Sequence, residues 1–77
     1  VRKLTMNERG VLGAVKFLPG QPDYAILRFA GIPPSDPDYQ TIIPRLVRRR
    51  LLVKGLPNWF ISPAGDAAYV AALNEPE

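Results

Sequence analysis

A chain of 77 residues, 47% of them hydrophobic, is long enough for one small core and no second domain. With no cysteine and no histidine it has no disulfide, no thiolate or imidazole metal ligand, and none of the commonest general base. The net charge of +3 is only modestly basic, and the seven acids are scattered without metal-ligand spacing, so neither an enzyme nor a cofactor is expected.

No apolar run reaches the roughly 18 residues of a membrane span. The opening VRKL lacks the apolar core of a signal peptide, which sets the expectation of a cytoplasmic protein away from membranes. Residues 1–4 read as a frayed arm. Thr5–Glu8 (TMNE) is a capping box and predicts a helix running to about Leu18. Val11, Leu12, Val15 and Leu18 recur at helical spacing on one face, with Glu8, Arg9 and Lys16 placed elsewhere. Gly10 and Gly13 weaken this helix by about 1 kcal/mol each against alanine, and would permit close contact with another helix. PGQP, Pro19 to Pro22, ends it in a loop.

The second helix is expected from Asp23 as N-cap to Gly31 as the residue after its end, with Ile26, Leu27 and Ala30 inward and Phe29 on the shoulder. Ile32 should fold back onto the core, and IPPSDP is too rich in proline for a helix. Asp36 as N-cap, Pro37 in the first helical position and Asp38 in the first turn suit the start of a third helix. Its inward face would be Tyr39, Ile42, Ile43 and Leu46, with Val47 at the edge. The outward face would carry Pro37, Thr41, Pro44, Arg45 and Arg48, flanked by Gln40 and Arg49. Pro44 would bend so long a helix. A later start at Thr41, with Pro44 in the first turn, is the alternative that the sequence leaves open. Beyond it, Leu51–Lys54 and Trp59–Ile61 read as two short strands around the turn Gly55–Asn58. Trp59 and Ile61 share one face, and Phe60 takes the other. Ser62-Pro63 opens a last helix over Ala64–Leu73, followed by NEPE, with residues 74–77 expected to fray. That helix is apolar nearly all round, so a second chain is expected to cover part of it through Tyr69, Val70 and Leu73.

The stretch Arg45–Gly65, RLVRRRLLVKGLPNWFISPAG, resembles the end of the recognition helix and the wing of winged helix-turn-helix regulators of the broad MarR, PadR and ArsR kind. Leu46 matches the leucine of their Leu-x-x-x-Gly-Leu-Val element, and Leu51-Leu52 its apolar pair. Trp59 holds the aromatic position, and Ile61-Ser62-Pro63-Ala64-Gly65 matches the closing Leu-Thr-x-x-Gly; LTMNERGVL resembles the opening of their first helix. Arg50 stands where those families carry glycine, which implies a different helix cap. Lys54 is the one charge on a short wing.

The resemblance implies a single mainly α domain with a small β-hairpin, ordered helix-helix-helix-hairpin-helix. It also implies a small regulator that binds double-stranded DNA with its third helix in the major groove. Gln40, Thr41 and Arg45 would then read base edges, while Arg48, Arg49 and Lys54 hold phosphates. Against that, an arginine run at a helix C-terminus is favoured by the macrodipole without any ligand. The alternative function is a winged-helix protein-interaction module, or an adaptor of a larger assembly such as a phage particle.

Overall fold

The computed structural model describes residues 4–56 and 58–74. Four helices and a two-stranded antiparallel hairpin follow in the order α1 (Met6–Phe17), α2 (Asp23–Ala30), α3 (Ile42–Arg48), β1 (Leu52–Lys54), β2 (Trp59–Ile61) and α4 (Pro63–Leu73). The fold is thus mainly helical, as expected, and α1 lies at its centre, packed against α2, α3, α4 and β2.

The capping box forms. The Glu8 amide donates to Thr5 Oγ1 at 3.1 Å and the Thr5 amide donates to Glu8 Oε1 at 2.8 Å. Val11, Leu12 and Val15 are fully buried. Leu18 is not the fourth member of that face: the helix stops at Phe17, and Leu18, a C-cap with non-helical backbone, swings outward to 40% exposure. Gly10 and Gly13 do mark close approaches, to Ala30 of α2 and to the Tyr69 ring of α4.

Asp23 is not the N-cap of α2. Pro22 takes that place in an extended conformation with no side-chain cap, and the Asp23 carboxylate accepts the Trp59 indole N–H instead. Ile26 and Leu27 are buried, Phe29 stands 60% exposed, and Ile32 returns to the core.

The third helix is the short one. Asp36 and Pro37 build turns rather than a helix start: the Asp38 amide donates to Asp36 Oδ1 at 2.8 Å and the Tyr39 amide to the Asp36 carbonyl at 3.0 Å. With Thr41 as N-cap, Pro44 falls at the third helical position, where an N–H would have no intrahelical partner. Proline there removes nothing, so α3 has no reason to kink.

Helices α2 and α3 end alike. Gly31 and Arg50 both adopt left-handed backbone, with φ of 79° and 61°. Their amides donate to Arg28 and Val47, and those of Ile32 and Leu51 reach back to Leu27 and Leu46, which is the Schellman pattern. A different cap was expected from the arginine at position 50; the same cap forms, with arginine in the place of glycine.

The hairpin pairs Leu52 with Ile61, Val53 with Phe60 and Lys54 with Trp59. Its turn closes through the Gly55 amide, 2.6 Å from the Asn58 carbonyl; Pro57, expected in that turn, lies outside the described residues. Ser62 then caps α4, accepting from the Gly65 amide at 2.9 Å while its hydroxyl donates to the Arg50 carbonyl at 2.7 Å. Of the ends expected to fray, residues 1–3 and 75–77 lie outside the described ones. Leu4 packs against the core, and the Asn74 amide still bonds to Val70 and Ala71. The core joins Val11, Leu12 and Val15 to Ile26, Leu27, Ile32, Ile42, Ile43, Leu46, Leu51 and Leu52. No described helix is long and apolar enough to cross a membrane.

Candidate nucleic-acid interface

The arginine run is divided by a buried acid. Glu8 is fully buried, although it had been placed off the apolar face of α1. Its spacing from Val11, Leu12 and Val15 is three, four and seven residues, so it belongs to that stripe. It is accommodated there by donors. Besides the Thr5 amide, Arg45 Nε and Arg49 Nη1 each lie 3.2 Å from Glu8 Oε2. Burial pushes the Glu8 carboxyl up, but the Thr5 hydrogen bond and the two guanidinium charges together outweigh it and hold it below the usual carboxylate range.

Arg45 also reaches Asp38, with Nη2 3.5 Å from Oδ2. Asn7 Nδ2 donates to the same Asp38 oxygen at 3.1 Å and to Asp36 Oδ2 at 3.4 Å. The Asp38 carboxyl is lowered chiefly by that Asn7 bond and, against burial, by Arg45. Arg45 and Arg49, expected on DNA, are therefore bound within the chain, tying α3 and the turn before it to the start of α1.

Four of the expected contact residues stay exposed. Gln40 and Thr41 precede α3, Arg48 ends it, and all three stand in solvent together with Pro44. Pro44 and Arg48 repeat at the helical interval and form an exposed ridge of α3, and Gln40 and Thr41 lie in the turn that leads into it. The Thr41 hydroxyl makes a single long bond, donating to the Pro37 carbonyl at 3.5 Å, which leaves it free to turn toward a ligand. On the side of the ridge away from Glu8 runs a groove of about 580 Å³, lined by Asp23, Ile43, Pro44, Val47, Arg48 and Trp59. Lys54 stacks on one of these lining residues, with Nζ 4.8 Å from the centre of the Trp59 ring. Trp59 is half-buried, with Ile61 likewise, and Phe60 on the other side of the hairpin covers Gly55. Of the residues expected on DNA, Gln40, Thr41, Arg48 and Lys54 are thus exposed, whereas Arg45 and Arg49 are engaged with Glu8.

Of the residues expected between two chains, Val70 and Leu73 are 42% and 56% exposed, with Phe17 and Met6 standing out at 63% and 76%. Tyr69 is half-buried within its own chain, edge-on to Phe17 with ring centres 6.3 Å apart. Lys16, in an ion pair of 2.5 Å with Asp66, lies over the same ring. Compared with known proteins, the chain matches no family model, no curated protein and no solved structure.

Proposed function

We propose that this chain is a winged helix-turn-helix domain that binds double-stranded DNA, serving as a small transcriptional regulator rather than an enzyme. The observation that carries the reading is the exposed ridge of Pro44 and Arg48 on α3, with Gln40 and Thr41 exposed in the turn before it, followed by a hairpin whose first strand ends in Lys54. In the major groove Gln40 would pair with an adenine edge and Thr41 would meet a thymine methyl or a base edge. Arg48 and Lys54 would hold phosphates. Arg45 and Arg49 act indirectly, by fixing the position of α3. Binding of a random-sequence duplex, followed by fluorescence anisotropy at low salt, tests this. The wild-type chain should bind, and the folded variant R48A/K54A should bind at least tenfold more weakly. No binding by the wild-type chain overturns the reading.

The apolar groove formed by Pro44, Val47 and Trp59 favours a second reading, in which a protein partner docks on the same face. That reading gains support if duplex DNA fails to bind.

The domain is further proposed to act as a homodimer through α4. This helix is apolar on nearly every side, yet Gly65 is its one buried residue. Two copies joined there could set two α3 helices about one DNA turn apart. Sedimentation at micromolar concentration should give the mass of two chains, and V70E/L73E should give that of one. A one-chain mass for the wild type would refute the dimer.

A further inference from the structure

Two helices of this chain end through a left-handed residue, and only one of them uses glycine for it. Gly31 follows α2, whereas Arg50 follows α3 and is the one non-glycine with positive φ among the described residues. A β-carbon is disfavoured in that conformation, because it crowds the next carbonyl. Glycine at position 50 would relieve the crowding without changing the hydrogen bonds of the cap.

Nothing among the described residues offsets the cost through the side chain. Arg50 is exposed, and its guanidinium has no hydrogen-bonded or ionic partner among the described residues. This sets it apart from Arg45 and Arg49, which are engaged with Glu8. Its backbone, however, is held firmly. The Arg50 carbonyl accepts the Ser62 hydroxyl at 2.7 Å, the next carbonyl accepts the Ser62 amide at 3.1 Å, and the Arg50 amide donates to Val47 at 2.9 Å. The residue is fixed at the junction of α3 and the hairpin, two positions after Arg48 and two before the first residue of β1.

We infer that Arg50 is a DNA-phosphate-binding residue, kept as arginine at a position where glycine would make the fold more stable. The inference rests on the duplex-binding reading and adds Arg50 to the phosphate contacts proposed for Arg48 and Lys54. A guanidinium can meet a phosphate with two parallel hydrogen bonds. A rigid turn at the root of the wing holds its Cα in one place, which lowers the ordering cost of that contact.

The test is a pair of variants examined for both stability and binding. R50G should melt about 4–8 °C higher than the wild type. It should nevertheless bind random duplex several-fold more weakly, with a slope of log affinity against log salt shallower by about 0.9. Because R50G is the more stable protein, its loss of binding has no origin in unfolding. R50K keeps both the charge and the strained backbone, so it should keep the wild-type salt slope and melting temperature while losing part of the affinity with the second parallel hydrogen bond. The inference is overturned if R50G binds with wild-type affinity and slope, or if R50G melts no higher than the wild type. A wild-type chain that binds no duplex at all ends the duplex-binding reading itself; a wild-type chain that binds, with R50G unchanged, ends this inference alone.

Discussion

Replacing Glu8 with alanine is expected to cost about 3 kcal/mol, the low end for removing one partner from a buried ion pair, because the two arginines it leaves are partly exposed. A domain of this length has roughly 4–12 kcal/mol in total, so E8A should lose a large share of its stability. The reason lies in what remains. Glu8 is fully buried and joins Thr5, Arg45 and Arg49 at one point, and without it these three donors lose the acceptor they share. Asp38 would still reach Arg45. E8Q, which keeps the shape and one acceptor oxygen, should fall between E8A and the wild type. The same acid makes stability depend on pH. Its carboxyl titrates lower in the folded chain than the ordinary value of 4.5, so the unfolded chain binds the proton more readily. The stabilisation is therefore fully present above that value, and fades as pH falls through and below it. Denaturant unfolding of the wild type and E8Q should show a gap at pH 7 that narrows toward pH 3. An E8A chain melting within a few degrees of the wild type would mean that the cluster does not hold the fold.

The second large effect is expected at Gly65. By helix propensity alone, alanine at this position should stabilise α4 by about 1 kcal/mol. Sterics reverse the sign, because a β-carbon there would overlap the backbone carbonyl oxygen of Leu51 and press on the Ile61 side chain. That carbonyl cannot move aside freely, since it accepts the Ser62 amide at 3.1 Å and follows the strained Arg50. G65A should lose about 3 kcal/mol or more, the upper range for overpacking, seen as a fall in denaturation midpoint. G65A at or above wild-type stability would show that α4 can draw back from the hairpin at no cost.

Much of this fold is legible in local chemistry. The Thr5–Glu8 box, the proline loop, Gly31, the Ser62-Pro63 start and the two strands are signals that each act over a few residues, and they appear where they should. What was not legible depends on distant partners. Asp23 is a reasonable helix cap until Trp59, 36 residues away, takes its carboxylate. Asp36 is a reasonable helix start until its side chain turns back to the Asp38 amide and meets Asn7 of α1. Glu8 is the instructive case, since its spacing from Val11, Leu12 and Val15 placed it on the core face all along. Its charge argued for the surface, and the two arginines that offset the charge lie 37 and 41 residues away. The same pairing explains why the candidate interface could be only half read. Gln40, Thr41, Arg48 and Lys54 are exposed as expected, whereas no local pattern distinguishes Arg48, in solvent, from Arg49, which turns inward.

That division of the arginine run is tested most directly by the salt dependence of duplex binding in R48A and R49M. Each phosphate contact contributes about −0.9 to the slope of log affinity against log salt. With both proteins kept folded at low temperature, R48A should lose about 0.9 of slope per bound chain. R49M should keep the wild-type slope, even though it unfolds more readily. Equal losses of slope in the two variants would place Arg49 on DNA and contradict its assignment to Glu8.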